Sequence, residues 1–222
     1  MTKRCVVFDL DGTLADTSGD LLAAANACFA AMGHGAVLDG RDVLVAFQGG
    51  RAMLRVGFER LGLQWSEADI DAHYPVLLAG YAGAIDTHTR LYPGAVRAVQ
   101  ALLDAGYATA ICTNKPEGLA DILLHRLGIR GMFGALVGAD TLATRKPDAA
   151  PYQAAVERAG GDVAKSMLIG DTETDRLTGH AAGVPVVLVA FGPEGAGVAR
   201  LAPDALLDHF DDLPGLVARL IG

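Results

Sequence analysis

The chain has 222 residues, enough for one or two domains with a sizeable core. Its 51% hydrophobic and 20% charged content is that of a globular protein. A formal net charge of -8 argues against a nucleic-acid or anionic-membrane partner, and three scattered cysteines, Cys5, Cys28 and Cys112, make neither a disulfide framework nor a zinc spacing.

Cys5–Phe8 reads as a first strand that begins almost at Met1, which leaves no room for a signal peptide. The alanine-rich stretch from Leu21 to Met32 contains Asn26 and is too short to span a bilayer. A cytoplasmic protein, monomer or homodimer, without a membrane partner is expected. From about residue 16 to 90 the chain reads as helical segments at about 19–32, 40–47, 51–61 and 67–83, with no convincing strand. Gly33 and Gly62 punctuate them, and Ser66 with Asp69 forms a capping-box pattern. Leu91-Tyr92-Pro93-Gly94 marks the return to a different rhythm.

From there helices and strands alternate. A helix over Gly94–Ala105 presents Val96, Val99, Leu102 and Leu103 on one side, and Tyr107–Cys112 follows as a strand. A helix after Pro116 ends at Gly128 and leads to the strand Ala135–Val137. A helix over about Pro151–Ala159 precedes the strand Ser166–Ile169, and one after Thr172 ends near Gly183. Val186–Ala190 and a weaker Ala205–Leu207 complete the set. Several of these strands are continuous apolar runs, as expected where both faces of a parallel sheet are covered. The alternation predicts an α/β protein: a Rossmann-like parallel-sheet core over 1–15 and 91–222 with an inserted α-helical cap over 16–90.

Polar clusters follow three of the strands: Asp9-x-Asp11, Thr113-Asn114-Lys115 and Gly170-Asp171. Arg145-Lys146-Pro147 lies in the loop after Ala135–Val137. The carboxyl ends of strands in open α/β sheets form the ligand crevice, so these residues are expected to meet. Each cluster also has a plainer reading. Asp11-Gly12 is a common turn pair, Thr113 to Lys115 can cap a helix, and Lys146-Pro147 can be a solvated loop. Thr172 and Asp175 fit a capping box. Two aspartates one residue apart repel, and a divalent cation is the obvious compensation.

Together, Phe8-Asp9-Leu10-Asp11-Gly12-Thr13, Thr113-Asn114-Lys115-Pro116, Lys146-Pro147 and Gly170-Asp171-x-x-x-Asp175 resemble the four ordered motifs of the haloacid dehalogenase superfamily. The insertion after the first motif is similar to that of its helical-cap members. Asn114-Lys115-Pro116 and Ala181-Ala182-Gly183-Val184 are similar to the phosphoglycolate phosphatase-like branch. The resemblance implies a Mg2+-dependent phosphatase acting on a small phosphorylated metabolite, with phosphoglycolate the first candidate. Asp9 would be the nucleophile and a metal ligand, Asp171 a second ligand, and Asp11 a ligand through its backbone carbonyl and an acid and base through its side chain. Thr113 and Asn114 would bind phosphate, Lys146 would supply charge, and Asp175 would serve metal or lysine, or only cap its helix. Superfamily members that cleave carbon–halogen bonds lack the acid that Asp11 provides.

Gly49 and Arg51, in Phe47-Gln48-Gly49-Gly50-Arg51, are candidates for substrate binding, against an ordinary helix start with a solvated arginine. Gln48 and the Asp148-Ala149-Ala150-Pro151 stretch depart from the branch pattern. Sugar-phosphate mutase, pyrophosphatase or phosphonatase chemistry on the same scaffold stays open. The last is disfavoured because no lysine lies between Lys3 and Lys115 to form a Schiff base. A phosphorylation-controlled signalling module is a further alternative. The histidines show no ligand spacing.

Overall fold

Lys3–Phe8 (β1) forms the centre of the sheet because four successive side chains, Cys5 to Phe8, are wholly buried. The structure is a computed structural model that describes residues 3–222. Ala108–Cys112 (β4), Ala135–Val137 (β5), Gly161–Gly170 (β6), Val186–Val189 (β7) and Ala205–Leu207 (β8) complete a six-stranded sheet in the order β5-β4-β1-β6-β7-β8. Every pairing is parallel, with Val7 opposite Ala110 on one side and Leu168 on the other. The chain leaves β1 for β4 on one flank and later reaches β6 on the other. That reversal opens a crevice at the carboxyl ends of β1, β4 and β6.

Alternation along the strands divides the core. Cys5, Val7, Ala110, Cys112 and Leu168 face Tyr152, Ala155 and Val156 of helix Ala149–Arg158 (α7). The Tyr152 hydroxyl sits in that layer 2.6 Å from Ser166 Oγ, which in turn donates to the Val163 carbonyl, so the buried polar atoms are satisfied. Phe8 meets Phe133 edge-on at 6.1 Å. Helices Ala95–Asp104 (α5), Glu117–Arg126 (α6) and Glu173–Ala182 (α8) connect the strands. Helix α8 opens with the Thr172–Asp175 capping box expected from sequence. All three cysteines are free and buried, and burial pushes the Cys5 and Cys112 thiols up to about 12.

Some elements differ from those expected. Strand β6 starts at Gly161 rather than near Ser166, and its first half is partly exposed, so it lacks an apolar signature. Helix α7 begins at Ala149 because Asp148 caps it, accepting from the Ala150 N–H at 2.8 Å. A last helix, Leu213–Ile221 (α9), buries Leu213, Leu216 and Val217 and has proline in its first turn. Ala15–Asp16 (β2) and Arg90–Leu91 (β3) pair as a two-stranded ribbon too short for any sequence period.

The chain divides into two compact units, one running to Ala15 and resuming at Leu91, the other spanning Asp16–Arg90. The second is helical: Ser18–Ala31 (α1), Val43–Phe47 (α2), Gly50–Arg60 (α3) and Glu67–Gly83 (α4). Residues 40–42 form a single 3-10 turn before α2. Leu22, Ala25 and Phe29 line one face of α1 and pack with Met53, Leu54, Phe58, Ile70 and Leu77. Asn26, polar within the alanine-rich helix, accepts from the Val37 and Leu38 N–H groups and donates to the Leu38 carbonyl, fastening the following loop. Ser66 and Asp69 cap α4 reciprocally. Among the described residues no helix is long and apolar enough to cross a membrane.

Candidate active site

At the end of β1 the Asp9 N–H still bonds the Ile169 carbonyl of β6 at 2.9 Å, so the nucleophile candidate is fixed by the sheet itself. Its Oδ1 accepts from the Leu10 N–H at 2.7 Å. The chain then turns sharply. Gly12 adopts φ 80°, and its N–H bonds the Ala15 carbonyl at 2.8 Å. A methyl group at Gly12 would overlap the Asp171 carboxylate, so this glycine serves both the turn and the close approach of the next loop.

The parallel register brings Thr113, after β4, and Asp171, after β6, to the same edge as Asp9. Asp171 accepts from the Thr13 hydroxyl at 2.7 Å. Lys146 Nζ lies 3.0 Å from Asp9 Oδ2 and 2.7 Å from Asp175 Oδ1. The other Asp175 oxygen accepts from the N–H of Asp171, the N–H of Thr172 and the Thr172 hydroxyl. Asp175 thus both caps α8 and pairs with Lys146. Asn114 donates to the Lys146 carbonyl at 3.0 Å, which ties the loop after β4 to the loop after β5. Thr113 is buried, and its Oγ1 accepts from the Lys115 N–H at 3.2 Å, leaving the hydroxyl hydrogen to donate elsewhere.

Asp9, Asp171 and Asp175 each offer an oxygen within 4.8 Å of the others, and all three are buried. Burial, with the neighbouring Asp175 and Asp11 charges, raises the Asp9 carboxyl to about 6 despite Lys146. Burial and the Asp175 and Asp9 charges hold Asp171 well above the usual carboxylate range. Burial works to lower Lys146, but Asp175 and Asp9 outweigh it and its ammonium is held above the ordinary value. Such an under-compensated, all-oxygen donor set fits a hard divalent cation.

The Asp11 side chain is not part of that cluster. Lys115 Nζ holds it by both oxygens, at 2.8 and 3.0 Å, with the lysine side chain only 4% exposed. The sequence assigned Lys115 no role. Its signals were its place in the strand-end cluster Thr113-Asn114-Lys115 and in the branch-like Asn114-Lys115-Pro116. Gly49 and Arg51 lie in the helical unit. Gly49 has φ 99° with open space around it, and Arg51 pairs with Asp71 at 2.6 Å and lies 4.8 Å from the Tyr74 ring centroid.

Comparison with known proteins shows the family to which the chain belongs. The model of the haloacid dehalogenase-like hydrolase family matches residues 6–189. The chain is 39% identical to a phosphoglycolate phosphatase of Agrobacterium fabrum, over 100% of this chain and 97% of that protein. It is 38% identical to a phosphoglycolate phosphatase of Mesorhizobium japonicum, over 100% and 98% respectively. A solved structure from Haemophilus somnus, described as a predicted phosphoglycolate phosphatase, superposes with a TM-score of 0.82 at 24% identity, covering 97% of this chain and 98% of that one. The chain belongs to the haloacid dehalogenase-like hydrolase family and is a phosphatase-type enzyme resembling its phosphoglycolate phosphatases.

Proposed function

We propose that the enzyme is a Mg2+-dependent phosphatase that hydrolyses a small phosphate monoester, phosphoglycolate being the first to test, through an aspartyl-phosphate on Asp9. The observation that carries this reading is the buried Lys146 ammonium shared by Asp9 and Asp175 beside Asp171, with Asp11 held apart. Similarity to phosphoglycolate phosphatases over the full chain supports the choice of substrate.

The chemistry divides into two transfers. An Asp9 oxygen attacks phosphorus, the bond from phosphorus to the ester oxygen breaks, and the Asp11 carboxyl gives that oxygen its proton. Water then attacks the aspartyl-phosphate as Asp11 takes its proton back, which frees Asp9 and inorganic phosphate. The Leu10 N–H and Lys146 fix the Asp9 carboxylate, Lys146 offsets negative charge, and the Thr113 hydroxyl and Asn114 hold phosphoryl oxygens. Asp9, Asp171 and Asp175, with the Asp11 backbone carbonyl, would hold Mg2+, which supplies positive charge against the repulsion between carboxylate and phosphate. We assign the choice of substrate to the helical unit as a cap, through Gly49 and Arg51. A substrate anion would compete with Asp71 for Arg51.

The test is phosphate release from a panel of monoesters with and without Mg2+, with Asp9→Asn as control. Metal-dependent release that Asp9→Asn abolishes, with the fold intact by circular dichroism, is expected. No release from any monoester, or isomerised sugar phosphate in place of free phosphate, would replace this reading.

A further inference from the structure

Asp9 and Asp11 leave the same strand end two residues apart, yet their side chains have different partners. Asp9 joins Asp171 and Asp175 within 4.8 Å, whereas both Asp11 oxygens are taken by Lys115 Nζ. An unrestrained Asp11 carboxylate would have a strong competing destination, because a cation held by the three acids would attract it as a further oxygen ligand. A buried ammonium contacting both oxygens removes that freedom. The side chain of Lys115 is in turn fixed at its root, since its N–H is bonded to Thr113 Oγ1 and its carbonyl accepts from the Ala139 N–H at 3.0 Å.

We propose that Lys115 is the positioning residue of the proton-transfer group, clamping the Asp11 carboxylate apart from the Asp9–Asp171–Asp175 cluster so that it serves the leaving oxygen and the attacking water. The inference rests on the reading of Asp11 as acid and base given above. Lys115 takes no part in bond making. The proton passes from the Asp11 carboxyl to the ester oxygen, which keeps the electron pair of the broken bond, and it is restored from water in the second step. The role differs from phosphate binding by a cation, which would favour every monoester alike.

The discriminating measurement is kcat/KM across monoesters that the wild-type chain hydrolyses, from alkyl to aryl leaving groups. This quantity reports steps up to departure of the leaving group, where an alkoxide needs a proton far more than a phenolate does. Lys115→Met is expected to lower the alkyl-to-aryl ratio of kcat/KM by about tenfold or more, a part of the roughly 10²–10⁴-fold that a general acid contributes. Lys115→Arg should restore part of the ratio, and adding Lys115→Met to Asp11→Asn should shift it no further. A uniform loss across all leaving groups, or additive losses in the double variant, would overturn the proposal. If Asp11→Asn shifts the ratio and Lys115→Met does not, the positioning role falls while Asp11 keeps its own. If Asp11→Asn leaves the ratio unchanged, both fall. Should Lys115→Met fail to fold by circular dichroism, Lys115→Gln keeps a donor without the charge, and the same shift in ratio is expected.

Discussion

In the proposed mechanism Asp9 carries two demands that conflict without a metal: it would have to stay ionised to attack, and it is buried among other acids. Among the described residues, the ammonium groups of Lys115 and Lys146 pair with three of the four acids Asp9, Asp11, Asp171 and Asp175. The Asp9 carboxyl, raised from 3.8 to about 6, records the cost. Between those values the folded chain keeps a proton that the unfolded chain has released, so stability falls as pH rises through that window. Asp171, raised in the same direction, adds to the effect. The chelated protein should therefore melt at a higher temperature at pH 5 than at pH 7.5. Mg2+ should narrow the gap by binding the ionised form, and Asp9→Asn should narrow it without metal. For Asp9→Asn the direction of the shift predicts a gain at pH 7.5, offset by the lost pairing with Lys146. Scanning fluorimetry with and without chelator reads both, and a melting temperature that rises from pH 5 to 7.5 in the chelated protein would refute the assignment. Asp9, Asp11 and Asp171 were legible as candidates because each stands beside a strand end, and Lys146 because it follows them in a recognisable order of motifs. Lys115 was legible as a member of the strand-end cluster Thr113-Asn114-Lys115, but its pairing with the Asp11 side chain was not, because the sequence does not say which carboxylate of the strand-end group each lysine meets.

At the scale of elements, the site depends on how closely α8 approaches the end of β6. Gly170, the last residue of β6, has no side chain, and a methyl group there would drive into the Asp175 carboxylate. Asp175 cannot easily yield, because one oxygen pairs with Lys146 and the other caps α8. Gly170→Ala should thus lower stability by about 1–3 kcal/mol, the usual cost of overpacking, and reduce kcat by disturbing Lys146. Urea denaturation and steady-state kinetics would check this, and an unchanged kcat would show that the approach is not critical. Gly80, inside α4 with nothing near its would-be methyl, should show the opposite sign. Gly80→Ala is expected to raise stability by about 0.5–1 kcal/mol in the same denaturation assay. The sequence revealed the elements that carry long apolar runs or capping residues. It concealed the first half of β6, whose Gly160-Gly161 start and half-exposed residues resemble a turn, and the two-residue strands β2 and β3, which offer no period to read.

At the scale of the whole molecule, two of the apolar clusters among the described residues share no buried residue. One lies between the sheet and α7; the other joins α1, α3 and α4. Four helical patterns interrupt an alternating sequence, and the chain passes between its two compact units at Ala15–Asp16 and Arg90–Leu91. Separate cores predict separate opening, since local stability follows the apolar contacts that each unit makes for itself. Gly57 of α3 tests this. A methyl group there would overlap the Phe29 ring of α1, and Phe29 is itself wholly buried and packed edge-on against Phe58 at 5.7 Å. Gly57→Ala should therefore loosen the helical unit by about 1–3 kcal/mol, the same overpacking cost. Hydrogen exchange is expected to quicken across α1, α3 and α4 while the amides of β1, β4 and β6 keep their protection. Equal acceleration in the sheet would instead mean that the two cores unfold as one cooperative unit, and that a change in one core is felt at Asp9 through global stability.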